Sequence, residues 1–181
     1  MASFENLTTE KFRLRMRPHA WAIYETIWPG CKIDDLREQG IKVHVLDKEF
    51  GIDTVATFAK GAFITLQEKY RKNTYLRFGD FTQEYMNASG TEHEEQGEWF
   101  HLAAHLYFYG WANETETGFE KWLIMDVAKY KLLVEEAGGL DSIGELRQNN
   151  FHGRATFYSI PLKTIWPAVL LTHHGTTNVI V

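Results

Sequence analysis

The chain has 181 residues, 44% of them hydrophobic and 14% aromatic, which is enough for one well-filled core and marginal for two, so a single domain spanning 1–181 is expected. There is no basic segment leading into an apolar one at the start and no apolar run of about 18 residues, so neither secretion nor membrane insertion is signalled, and an intracellular, cytoplasmic protein is the expectation. The formal net charge of −5 argues against a polyanionic partner only until it is divided: residues 60–77 hold Lys60, Lys69, Arg71, Lys72 and Arg77 against Glu68 alone, while 81–150 is strongly acidic.

In chain order, "KFRLRMR" (11–17) alternates Lys11, Arg13, Arg15 and Arg17 with Phe12, Leu14 and Met16, which is strand period with one cationic face. Such a face either grips phosphates or keeps an edge strand from pairing with another sheet. Pro18 suits the first turn of a helix, and Ala20, Trp21, Tyr24, Ile27 and Trp28 make its apolar stripe until Pro29-Gly30 ends it. Cys31 has no partner for an internal disulfide and no neighbour at metal-ligand spacing, so an inert thiol is expected. A polar stretch follows, then a strand-like "IKVHVLD" (41–47) and a hairpin over 51–72.

Beyond the hairpin, "YRKNTYLRF" interleaves Tyr70, Tyr75 and Phe78 with basic groups, as a nucleic-acid surface or a packed core can. The acidic "TEHEEQGE" (91–98) reads as a solvated loop that could lend a further metal ligand, as could Asp80. His101 and His105 have the spacing of a helical zinc pair, but Leu102 stands where a metalloprotease glutamate would, and the sequence after them favours a strand. Strands are predicted in 103–112 and 121–126, a helix from an Asp126 N-cap to Gly138, and a late strand in "RATFYSIPL". His173-His174 reads as a surface pair. The fold class is α/β (α+β).

The hairpin carries the chemistry. "IDTVATF" and "AFITLQEKY" flank "AKG", whose Gly61 can supply the left-handed conformation a three-residue loop needs. If Phe58 closes against Ala62, counting back along both strands sets Asp53 directly opposite Gln67, with Cβ atoms roughly 4.5–5.5 Å apart. Lys69 falls on the same face. An acid, an amide oxygen and a cation on a partly buried face suit metal-assisted phosphodiester hydrolysis. Mg²⁺ takes oxygen ligands at about 2.0–2.1 Å and keeps several waters, so Asp53, Gln67 and the Glu68 backbone carbonyl would suffice, with Lys69 polarising the attacking water.

"GID", thirteen residues, then "QEK" resembles the PD-(D/E)xK nuclease superfamily, the restriction-endonuclease-like and Holliday-junction-resolvase-like proteins, phage-encoded ones included. The resemblance implies a core of helix, three-stranded antiparallel meander, helix and further strand in a mixed central sheet. Asp53, Gln67 and Lys69 match its motif, and Glu25 is the counterpart of the glutamate that such families often carry on the first helix. Gln67 replaces the commoner acid and removes one negative charge. The implied activity is a Mg²⁺-dependent (Mn²⁺ possible) DNA endonuclease, in the host cytoplasm if phage-encoded. Arg71, Lys72, Lys60, Arg13 and Arg15 would contact DNA, and duplex cutting would favour a homodimer. The alternative is a catalytically weak or inactive nucleic-acid-binding protein on the same fold; a third class is an interaction module built on the aromatic "WFHLAAHLYFYGW".

Overall fold

A computed structural model describes residues 4–36, 46, 49–149, 154–174 and 177–180. The 41–47 strand expectation falls, but for residue 46, outside the described residues.

Helix α1 spans Phe4–Ile27 without a break. The strand expected at 11–17 is therefore part of this helix, and the helix expected from Pro18 is its second half. The alternating pattern misled because Phe12 and Met16 also satisfy helical spacing and continue through Ala20 and Tyr24, all four buried, while Leu14 is exposed. Pro18 lies inside the helix on an exposed position, where the carbonyl that its missing N–H leaves open can be met by water. Arg17, assigned by the alternation to a cationic face, is instead buried against Asp35 as an ion pair tying α1 to the next strand.

Strands β1 (Lys32–Asp35), β2 (Thr54–Thr57) and β3 (Phe63–Arg71) form an antiparallel meander. After β4 (Asp80–Asn87), the short β5 (Glu95–Gln96) and a one-turn helix α2 (Glu98–His101), strand β6 (Leu106–Ala112) lies parallel to β3. Strand β7 (Phe119–Asp126) is antiparallel to β6. Helix α3 (Val127–Glu136) is capped by the Asp126 carboxylate, which accepts from the Lys129 N–H at 3.0 Å, and Gly138 follows its end at φ 90°. Helix α4 (Leu140–Ile143), β8 (Glu145–Gln148), β9 (Thr156–Pro161), α5 (Leu162–Ile165), β10 (Val169–His174) and β11 (Thr177–Ile180) complete the chain.

The strands make a seven-stranded sheet ordered β1-β2-β3-β6-β7-β10-β11 and a four-stranded sheet ordered β5-β4-β9-β8. The larger sheet is mixed, with β3 and β6 as its parallel pair. One of its faces is covered by α1, whose Ala20 and Tyr24 pack with Leu66, Leu106, Phe108 and Ile124. The other face sends Tyr107, Tyr109, Trp111, Leu123 and Met125 into a second cluster with Phe81, Tyr158 and Ile160 of the smaller sheet and Tyr130 of α3. Coverage on both sides explains why all seven residues of β6 are buried. The strand part of the aromatic run, Leu106 to Trp111, is thus interior, while Phe100 near its start is exposed. Among the described residues no helix is long and apolar enough to cross a membrane.

Candidate active site

The hairpin has the register that its loop dictates. Phe58 N–H donates to the Ala62 carbonyl at 2.7 Å, Thr54 pairs with Leu66, and the Asp53 N–H donates to the Leu66 carbonyl at 2.9 Å. The paired register ends at Thr54 and Leu66, and Asp53, just before β2, turns its N–H to the Leu66 carbonyl, so no ladder pair sets it directly opposite Gln67. The loop needs two left-handed residues, Lys60 (φ 67°) as well as Gly61 (φ 80°).

Asp53 and Gln67 are buried, at 1% and 5% exposure, although each carries a group that water would solvate well. The Asp53 Oδ2 accepts from the Glu68 N–H at 2.8 Å. In an extended strand the N–H and C=O of one residue project to the same edge, so the Glu68 carbonyl faces the edge on which Asp53 sits. Gln67 Nε2 lies 3.5 Å from Glu98 Oε2, while Gln67 Oε1 is buried without a hydrogen-bond partner. Lys69 Nζ reaches the same Glu98 oxygen at 3.7 Å, which places Gln67 and Lys69 on one face, as alternation requires. Burial pulls the Lys69 ammonium down, but the Glu98 and Glu84 carboxylates outweigh it and hold its pKa above the ordinary lysine range.

This face opens on a cavity of about 530 Å³ lined by Gly51, Gln67, Glu49, Glu84, Glu95 and Glu98 among others. Among the described residues its lining contains no lysine or arginine. Gly51, at φ 55°, leaves room here: a Cβ on it would come within 3.5 Å of Gln67 Oε1 and 3.3 Å of the Leu102 Cα. The donors gathered at this edge are hard oxygens, and a buried amide oxygen with no partner beside an acidic cavity is what a divalent cation would satisfy. Among the described residues no three His, Cys, Asp or Glu side chains form a metal-binding group, so a cation here would draw on an amide and a main-chain oxygen beside carboxylate.

Glu98 is the residue that sequence reasoning did not single out. It ends the acidic run taken for a solvated loop, and its upstream neighbours Glu92, Glu94 and Glu95 are indeed exposed. Its own carboxylate turns inward, with Oε1 accepting from Gln83 Nε2 at 2.8 Å and the Tyr107 hydroxyl at 2.7 Å. The one available signal was position: Glu98 directly precedes Trp99, where the acidic run gives way to apolar residues.

Glu25 is not brought to this cluster. It is exposed on α1, next to the inward-facing Tyr24, and its charge together with burial raises the Cys31 thiol pKa, burial contributing more. Arg13 and Arg15 are helical, not strand residues, and pair with Glu10 and, at 2.8 Å, Glu116. Lys60 is exposed at the hairpin tip and Lys72 just past β3. Arg71 continues the face of Gln67 and Lys69 and lies with its guanidinium 4.3 Å from the Tyr75 ring centroid. Tyr75 and Phe78 are exposed, whereas Tyr70 packs in the interior against Phe108 and Phe119. His105 Nδ1 accepts from the Thr65 N–H at 3.1 Å and lies 2.7 Å from its hydroxyl, a structural role far from a zinc pair. Asp80 is held by Ser159 at 2.5 Å on the smaller sheet.

A scan of family models, a search of curated proteins and a search of solved structures each return no match to this chain.

Proposed function

We propose that this chain is a metal-dependent DNA endonuclease of the PD-(D/E)xK type with a QxK variant motif. The observation that carries the reading is the juxtaposition at one edge of β3: the buried Asp53 carboxylate on the Glu68 N–H, the Gln67 Oε1 buried without a partner beside an acidic cavity, and Lys69 on the face of Gln67. The order of elements adds support, since a helix, an antiparallel meander and then a strand parallel to its third member is what a restriction-endonuclease-like core requires. Here β4, β5 and the single turn of α2 stand where the second core helix is expected.

Asp53, Gln67 Oε1 and the Glu68 carbonyl would hold Mg²⁺ or Mn²⁺, which when bound supplies Lewis-acid chemistry for a phosphodiester and acidifies water. The chain's own part follows from its charges. Lys69, whose pKa its carboxylate neighbours raise against the pull of burial, would orient the attacking water and meet negative charge developing on the phosphate. An acidic cavity repels a phosphate until a cation offsets it, so productive DNA binding is expected to need the metal. Arg71, one step further along the same face, and Lys72 would take flanking phosphates; Lys60 at the hairpin tip is next, while Arg13 and Arg15 are already matched by carboxylates. Duplex cutting would engage two copies of the chain, and the reading places the protein in an intracellular setting.

The neutral Gln67 favours one other reading, a nucleic-acid-binding protein with weak or no cleavage, because it lowers the charge available to a cation. One experiment separates them: cleavage of supercoiled, linear and branched DNA with Mg²⁺, Mn²⁺ or EDTA, beside Asp53→Ala and Lys69→Ala. Metal-dependent cutting that both folded variants lose is the expected result. DNA binding without cutting, indifferent to metal, selects the binding protein, and no DNA affinity at all overturns both.

A further inference from the structure

Glu98 divides its carboxylate between two tasks. Oε1 is anchored from β4 and β6 by Gln83 Nε2 at 2.8 Å and the Tyr107 hydroxyl at 2.7 Å, and Gln83 itself is wholly buried. Oε2 is thereby left facing Gln67 Nε2 at 3.5 Å and Lys69 Nζ at 3.7 Å. A carboxylate at neutral pH only accepts hydrogen bonds, so the end of the Gln67 amide nearest to it must be the NH₂. The other end, Oε1, is then turned away from Glu98 and left buried without a protein partner.

We infer that Glu98 is a positioning residue of the candidate site, orienting the Gln67 amide so that its oxygen is presented to a divalent cation. The inference rests on the nuclease reading. An amide, unlike the acid commoner at this position, has a right and a wrong way round: its nitrogen repels a cation that its oxygen would ligate. A QxK site therefore needs something to set the amide, and Glu98 sits where this is done. The 3.5 Å contact is long for a hydrogen bond and acts through orientation more than through its own strength. Outer partners of this kind, when removed, typically lower metal affinity by about 10–100-fold.

The test is Mn²⁺ affinity of the DNA-free protein by titration calorimetry, in wild type, Glu98→Gln, Gln67→Glu and the double variant, each checked for folding by circular dichroism. Glu98→Gln is expected to weaken Mn²⁺ binding by about tenfold or more, because a glutamine at 98 can face Gln67 with either end. With Gln67→Glu no orientation is needed, so adding Glu98→Gln should cost only the through-space loss of one negative charge, a smaller factor than Glu98→Gln costs beside the native Gln67. This difference in size separates positioning from a general loss of negative charge, which would weaken binding by the same factor in both backgrounds. Tyr107→Phe, which releases Oε1 but keeps the charge, should weaken binding in the same direction and less, and tests the same point if Glu98→Gln does not fold. A loss on adding Glu98→Gln to Gln67→Glu that equals or exceeds the loss beside the native Gln67 would make Glu98 a direct ligand or a plain charge and overturn the inference, as would unchanged affinity in Glu98→Gln. Wild-type protein that cleaves DNA yet shows either result sinks the inference alone; wild-type protein that binds no Mn²⁺ sinks the nuclease reading with it.

Discussion

The two faces of β3 each hold a glutamate among tyrosines, and they solve the same electrostatic problem in opposite ways. Toward α1, Glu68 is closed: Oε1 accepts from Tyr24 at 2.8 Å and Oε2 from Tyr70 at 2.6 Å. On the other face, Glu98 secures only Oε1 with strong donors and leaves Oε2 toward Gln67, Lys69 and the cavity. A carboxylate with both oxygens matched inside an aromatic core is a structural tie. One that keeps an oxygen in reach of a cationic and an amide group beside a polar cavity is free to serve the proposed site, and the difference between the two lies in partner count more than in burial.

The comparison can be broken most sharply at Asp53. Asp53→Asn keeps an oxygen to accept the Glu68 N–H but removes the charge, and should cut the metal-dependent cleavage rate by about 10²–10³-fold with the fold intact, measured on plasmid DNA. Glu68→Gln probes the closed face, where weakening two charge-assisted hydrogen bonds should lower stability by about 1–3 kcal/mol in denaturant titration while folded protein keeps its cleavage rate. The same face predicts an alkaline limit. Burial first, then the Glu68 charge, raises the Tyr24 and Tyr70 pKa well above the ordinary 10.0. Native phenols thus keep protons that the unfolded chain gives up, so this contribution is full below about pH 10 and lost as pH rises beyond it. Melting temperatures across that range should fall above pH 10, with a shallower slope in Glu68→Gln. The smallest effect is expected at Arg71→Ala, a few-fold rise in KM for DNA with kcat unchanged and a weaker salt dependence.

Local rules made the open face legible in the sequence. A three-residue loop with Gly61 fixes the register of β2 against β3, which brings Asp53 to the end of that pairing beside Glu68, and strand alternation puts Gln67 and Lys69 on one face. The Asp126 cap, the helix it starts and the strands at β6, β7 and β9 follow from equally local signals. What escaped is what depends on distant packing. Residues 11–17 fit two periods at once, and the choice was made by the larger sheet against which Phe12, Met16, Ala20 and Tyr24 line up. Glu25 lay at the margin of that stripe and falls outside it. Glu98 stands 31 residues from Gln67, on a turn held inward by Gln83 and Tyr107 from two other strands, and an acidic run offers no hint of which member turns inward.

The central claim is that the Gln67 and Lys69 face of β3 is a metal-dependent phosphodiesterase site and the Glu68 face is structural. Its most direct test is cleavage of supercoiled DNA with Mn²⁺ by wild type, Asp53→Asn and Glu68→Gln at equal concentrations of folded protein. Cutting by wild type and Glu68→Gln that EDTA abolishes, with Asp53→Asn inert, is the predicted result. Equal rates in all three, or no cutting by any, would contradict the account and leave Asp53, Gln67 and Lys69 as a buried polar cluster of the fold.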